Sequence, residues 1–86
     1  KTPIHLKVLF EKNIAKHLAE TPLSNTQKLT PHNEQQVLLE ATVHETLELK
    51  WWLQGFGDNI EVLAPLPLRD KFKAVADSLS RVYSNV

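Results

Sequence analysis

The four histidines are the residues of this sequence most suited to binding a metal ion. They are His5, His17, His32 and His44. Zinc sites need several converging ligands, and a close pair of ligands in the sequence is their usual sign. His5 and His44 could lie on neighbouring strands with Glu40 nearby, but no two of the four histidines form such a pair. Solvated histidines are the ordinary alternative, and the sequence therefore predicts neither a metal site nor a cofactor.

Arg69 is the cation best placed to bind an anion. It lies in the first turn of the last predicted helix, where free backbone N–H groups and the helix dipole attract negative charge. The alternative is a salt bridge within the chain. The candidate partners for that bridge are Glu61, Asp58 and Asp70. The sequence leaves both interpretations open.

The sequence lacks the common catalytic motifs. It has no Gly-x-Ser-x-Gly, no glycine-rich phosphate loop and no cysteine, which removes the usual serine nucleophile, phosphate cradle and thiolate. Glu45 and Glu48 fall near the predicted start of a helix, where carboxylates normally stabilise the helix dipole. We therefore predict no catalytic residues and no enzyme activity.

Two adjacent tryptophans begin the segment WWLQGFG at residues 51–57. Trp52 and Phe56 are one helical turn apart, a spacing more typical of core packing than of a stacking platform for a base. Trp51 points about 100° away around the same helix, so it cannot fully share that burial. We predict that Trp51 contacts a neighbouring domain or subunit, with a partly covered surface residue as the alternative.

The composition limits the size and the partners of the protein. Its 86 residues are enough for one domain, which we expect to span residues 1–86. Lysine and arginine together number 10, as do aspartate and glutamate, so no net charge attracts duplex nucleic acid or an anionic membrane. No apolar run approaches the ~20 residues of a membrane helix. We expect a soluble, cytoplasmic protein and, because methionine is absent, a segment of a longer one.

Hydrophobic periodicity predicts strands and helices in alternation. Strands are predicted at 4–11, 27–30, 35–45 and 59–65, and helices at 12–20, 46–56 and from 68 onward. This order predicts an α+β fold, namely a ferredoxin-like βαββαβ sandwich of a four-stranded antiparallel sheet and two helices. The C-terminal helix is expected to be an appendage to it.

The open face of the predicted sheet carries leucines but no aromatic side chain. Alternation along the strands places Leu9, Leu38 and Leu63 there. RNA-recognition domains with this strand order read bases with aromatic residues on that face, so direct reading of a single strand is disfavoured. We predict that the leucines are covered by the last helix or by another chain. With Tyr83 of the last helix, they are candidates for a dimer or interdomain surface.

Residues 46–83 contain a recognisable series of motifs. A helix bearing a tryptophan ends in a Phe-Gly pair, and a valine-containing strand, a Leu-Arg pair and a helix with a tyrosine near its end follow. These positions are Trp52, Phe56, Gly57, Glu61, Val62, Leu63, Pro65, Leu68, Arg69 and Tyr83. The series resembles the C-terminal extension (WCX) domain that follows the WYL domain in bacterial transcriptional regulators of the DeoR-like, winged helix-turn-helix kind.

This resemblance implies a ferredoxin-like fold and a regulatory role without catalysis. In such a regulator an N-terminal winged helix-turn-helix binds DNA, and the adjacent WYL domain senses an effector, here expected to be a nucleotide or oligonucleotide. Both domains would lie outside this sequence. The resemblance also implies a share in homodimer formation by the full-length regulator. In the family this arginine recurs, so the resemblance implies that Arg69 contacts a phosphate of the effector or an acidic group of the neighbouring domain. Trp51 stands where the family usually has a charged residue, and its candidate role as an effector or interdomain contact comes from its position on the helix.

A second hypothesis is a stand-alone domain that binds a ligand or single-stranded nucleic acid. The predicted fold permits this function. Titrating the tryptophan fluorescence with short oligonucleotides at two salt concentrations would discriminate the two hypotheses.

Overall fold

A four-stranded antiparallel sheet forms one layer of the domain. The computed structural model describes residues 3–84. The strands are β1 (Pro3–Glu11), β2 (Lys28–Pro31), β3 (Gln36–His44) and β4 (Ile60–Ala64). β1 pairs with β3 and β4, and β2 pairs with β3, so the strand order is β2-β3-β1-β4. The two longest strands therefore lie at the centre of the sheet.

Three helices pack on one face of this sheet. They are α1 (Lys12–Glu20), α2 (Leu47–Gln54) and α3 (Leu66–Ser84). Each contributes at least one residue to the buried cluster that the strands also form, namely Ala15 and Leu18 of α1, Leu53 of α2 and Leu68 of α3. The predicted α+β class, with a four-stranded antiparallel sheet and three helices, is confirmed. Within residues 3–84 no helix is both long enough and apolar enough to cross a membrane.

Alternate residues of β1 form the core. Leu6, Val8 and Phe10 are completely buried, and the register places Leu6 beside Ala41 and Val8 beside Leu39 of β3. This is the face that the period-two pattern predicts. Because burying each large apolar side chain stabilises the fold by about 1.5–3 kcal/mol, the layer between sheet and helices is the main source of stability.

The ends of α2 are set by local interactions. The Oγ1 atom of Thr46 accepts a hydrogen bond from the backbone N–H of Leu49 at 3.1 Å and caps the helix. Gly57 follows the helix with a φ of 60°, which glycine adopts at little cost. A short 3₁₀ turn (Gly57–Asn59) then leads into β4. Between these two ends, Trp52 of α2 packs against the core.

The first turns of α3 belong to the core, so the prediction that this helix is an appendage is wrong for them. Leu68 is completely buried, and Phe72 packs against the same cluster. The helix begins at Leu66, and the carbonyl of Pro65 accepts hydrogen bonds from the N–H groups of Leu68 and Arg69. Every residue from 73 to 84 is exposed. Only this second part of α3 extends away from the core.

Candidate functional site

The inner face of α2 forms an aromatic cluster with β1. The ring centroids of Trp52 and Phe56 are 4.9 Å apart, and Phe10 lies 6.2 Å from the first ring and 5.5 Å from the second. The rings of Trp52 and of Phe56, which follows the end of α2, meet edge to face, and such pairs add about 0.5–1.5 kcal/mol beyond apolar burial. The rings of Trp52 and Phe56 are therefore used for packing inside the domain.

Trp51 and Leu47 form an exposed apolar row on the outer face of α2, which we call the outer row. The two residues are one helical turn apart, and their exposed fractions are 62% and 55%. The structure thus turns Trp51 away from the burial that Trp52 shares, in the direction that the sequence predicts. The sequence analysis did not identify Leu47 as a surface residue. Its spacing of four residues from Trp51, which is one helical turn, is the pattern that could have identified it. An exposed indole beside an exposed leucine is typical of a contact surface.

The carboxylate of Glu45 joins α2 to α3. Its Oε2 atom lies 3.0 Å from Nζ of Lys50 and 3.3 Å from Nζ of Lys71. Hydrogen bonds from Lys50 and then Lys71 hold the pKa of Glu45 below its usual value, and the bond to Glu45 raises the pKa of Lys50. Surface ion pairs of this kind add little stability. They do gather two positive charges and one negative charge around Lys50, the residue before Trp51.

Arg69 is tied to β4 by an ion pair and a backbone hydrogen bond. Its Nη1 atom lies 3.0 Å from Oε2 of Glu61 and donates to the carbonyl oxygen of Val62 at 2.8 Å. Glu61 is one of the three carboxylates that the sequence offers as partners. β4 is an edge strand, so the guanidinium also satisfies a carbonyl at the edge of the sheet. The backbone N–H of Arg69 is used within the chain, by Pro65.

Replacing Arg69 with alanine should lower the free energy of unfolding by about 1 kcal/mol, because the ion pair is partly exposed and the backbone hydrogen bond is lost. Urea unfolding followed by circular dichroism measures this change. Lys73→Ala is the matched control, since it removes an exposed cation one turn later in the same helix and should change stability less. An Arg69→Ala variant as stable as the parent chain would contradict the structural assignment.

The three leucines of the open sheet face differ in how much surface they offer a partner. Leu9 lies on central β1 between Leu38 and Glu61 and is only 6% exposed. Leu38 and Leu63 are half-buried. The pairing of β1 with β4 is irregular next to Leu63, and such irregularities interrupt the strict alternation of faces. Leu38 and Leu63 therefore keep more surface for contact than Leu9.

Tyr83 lies apart from these leucines. Its side chain is 71% exposed near the end of α3, and it lines a groove with Leu53 of α2. That groove is on the helical side of the sheet, whereas Leu9 belongs to the opposite face. The structure does not bring the four residues into one surface.

Charged side chains on the open face form cross-strand pairs. His5 and Lys7 of β1 lie 3.5 Å and 3.8 Å from Oε1 of Glu40 on β3. Across residues 3–84 no three histidine, aspartate or glutamate side chains are grouped to hold a metal ion, and no polar side chain in that range is fully buried. What the described residues present most clearly are exposed apolar side chains on α2 and α3.

A comparison with models of protein families matches nearly the whole chain to one family. The sequence model of the WCX domain matches residues 2–80. A search of the curated proteins finds no match. The family match extends the resemblance seen in residues 46–83 across the first half of the chain, where the sequence has no motif of its own.

Proposed function

Because the chain belongs to the WCX domain family, which is a family of regulatory domains, we propose that it is the C-terminal regulatory domain of a WYL-type transcriptional regulator. In this proposal it has no catalytic role. It couples effector sensing in an adjacent WYL domain to DNA binding by an N-terminal winged helix-turn-helix, and it takes part in assembling the dimeric regulator. The observation that carries the proposal is the family match over residues 2–80.

The order of the strands supports a ferredoxin-like fold for this domain. α1 connects β1 to β2, yet β3 lies between them, and α2 connects β3 to β4, yet β1 lies between them. Two interleaved βαβ units of this kind make a split βαβ arrangement. In this fold one face of the sheet is covered by helices and the other remains available.

The outer row of α2 is the proposed contact with the neighbouring domain. Trp51 and Leu47 provide apolar area, and the charges of Glu45, Lys50 and Lys71 provide a polar rim beside it. Apolar centres with polar rims are the usual composition of protein interfaces. An effector changes the activity of the regulator only if the regulator has two conformational states whose contacts between domains differ. A contact made through Trp51 in one state alone would meet this requirement.

Arg69 is the proposed polar contact of the domain. A guanidinium has five N–H donors, and the two bonds described here both use Nη1. The side chain is one-third exposed, so its other donors can reach an acidic group of the next domain or a phosphate of the effector. In this role the ion pair with Glu61 holds the guanidinium in place.

Binding of single strands by the isolated domain has less support. The rings of Trp52 and Phe56 pack against each other and Phe10. The strand positions on the open face are polar or aliphatic. A base would find few ring faces on which to stack.

In the regulator that contains this chain, Trp51→Ala should remove most of the response to the effector. Allosteric coupling of this kind commonly amounts to about 5- to 150-fold, and we expect the ratio of reporter transcription between inducing and non-inducing growth to fall towards one. Binding of the operator without effector should persist, because the DNA-binding domain is unchanged. Leu66→Ala is the control, since Leu66 is 67% exposed but outside the outer row. A full response in the Trp51→Ala regulator would contradict the proposal.

A further inference from the structure

An open cleft lies between the first turns of α2, the end of β3 and the loop that joins α1 to β2. Its volume is about 580 Å³, within the range of about 300–1,000 Å³ that is usual for small-molecule sites. The apolar part of its lining consists of Leu23, Val43, Leu49 and Trp52. All four side chains also pack against the core, so the fold holds this lining in place.

Side-chain hydrogen bonds fix the loop that forms one wall of the cleft. Gln27 joins the loop to α1, because its Oε1 atom accepts from the N–H of Leu23 at 2.8 Å and its Nε2 atom donates to the carbonyl oxygen of Leu18 at 3.1 Å. Thr26 joins the loop to β3, because its Oγ1 atom accepts from the N–H of Thr42 at 2.8 Å. A ligand that enters a wall held in this way does not have to order it first, which favours binding.

The edge of β3 supplies a hydrogen-bond acceptor to the cleft. β2 pairs with β3 only as far as Glu40, and Thr42, which lines the cleft, lies beyond that point. The N–H of Thr42 points away from β1, towards Thr26. In an antiparallel sheet the N–H and C=O groups of one residue point to the same side, so the carbonyl oxygen of Thr42 also faces this edge.

Glu48 is the only residue with a fixed charge among those that line the cleft. Its side chain is exposed, and it forms no ion pair within residues 3–84. Glu48 lies one helical turn before Trp52, so the carboxylate and the indole are neighbours on α2. The full charge of the carboxylate exceeds the opposing charge of roughly +0.5 at the start of a helix. The cleft therefore favours a cation over an anion.

We propose that this cleft binds a small organic cation, namely a primary amine attached to an apolar body about the size of a benzene ring. The apolar body lies against Leu49 and Trp52, and the indole also attracts the positive charge. The ammonium group has three donors, enough for the carboxylate of Glu48 and the carbonyl oxygen of Thr42. A phosphate or carboxylate ligand would instead be repelled by Glu48.

This inference goes beyond the proposed function, in which the effector binds to an adjacent domain. The cleft belongs to this chain, and binding there uses neither Trp51 nor Arg69. Its test needs no DNA and no other domain. A failure of the amine site would therefore leave the proposed function standing, and the reverse also holds.

Titration of the chain with 2-phenylethylamine, followed by two-dimensional ¹H–¹⁵N NMR spectra at low salt, tests the site. We expect saturable shifts of the backbone amides of residues 42–44 and 48–52, with a dissociation constant of about 1 mM or below, as the small size of the probe permits. The alcohol 2-phenylethanol has the same apolar body without the charge and should bind about tenfold more weakly. Absence of saturable shifts up to about 10 mM amine, shifts confined to other parts of the chain, or equal affinity for the alcohol would overturn the proposal.

Glu48→Gln tests the role of the carboxylate, because it removes the charge and keeps the shape of the side chain. It should weaken binding of the amine about fivefold, the effect expected of a solvent-exposed ion pair. Glu34→Gln is the matched control, since it makes the same change at an exposed carboxylate between β2 and β3, outside the cleft, and should bind as the parent chain does. Circular dichroism checks that both variants are folded. Unchanged affinity in Glu48→Gln, or equal weakening in the two variants, would overturn the assignment of Glu48.

Discussion

Replacing Leu68 with alanine should lower the free energy of unfolding by about 2–5 kcal/mol. Leu68 is completely buried and belongs to the cluster shared by all three helices and the sheet. Its removal would leave a cavity beneath the first turns of α3. A loss of this size is a large share of the about 5–15 kcal/mol that stabilises a typical domain. Urea unfolding followed by far-UV circular dichroism measures it.

Leu66→Ala is the control for this prediction. Leu66 lies two residues earlier in the same helix, and its side chain is 67% exposed. Its truncation should change the free energy of unfolding by no more than about 0.5 kcal/mol. Equal losses for the two variants would mean that the start of α3 is not docked as the structure shows.

Much of the fold follows from local patterns in the sequence. The period of two in β1 predicts the buried face of Leu6, Val8 and Phe10, and the structure has it. Thr46 is a residue type that caps helices, and Gly57 is one that follows them. The step of about 100° between neighbouring helical residues predicts the separation of Trp51 from Trp52. Each of these features depends on residues close together in the chain.

The features that the sequence could not predict depend on tertiary packing. The apolar residues of α3 continue at helical spacing well past Phe72. Their pattern therefore does not indicate that Phe72 is the last residue of α3 that packs against the core. Arg69 has three carboxylates within reach in the sequence, and only the position of β4 selects Glu61. Leu9 is on the predicted open face, but its place on a central strand leaves it nearly buried.

The second large effect is expected at Trp52. Replacing Trp52 with alanine should cost about 3 kcal/mol, the lower end of the range for large aromatic residues, because the side chain is half-buried. The change removes the edge-to-face contact of the indole with Phe56, its tilted contact with Phe10, and much of the cover that α2 gives to Phe10. Urea unfolding followed by far-UV circular dichroism avoids a signal that depends on the tryptophan itself.

The comparison of Trp52→Ala with Trp51→Ala tests most directly the claim that these neighbouring tryptophans have opposite roles. The same substitution at adjacent positions of one helix keeps the change in helix propensity equal. We predict that Trp51→Ala stays within about 0.5 kcal/mol of the parent chain, whereas Trp52→Ala loses at least about 2 kcal/mol more. Equal losses, or a larger loss for Trp51→Ala, would contradict the assignment of Trp52 to the core and of Trp51 to the exposed outer face of α2.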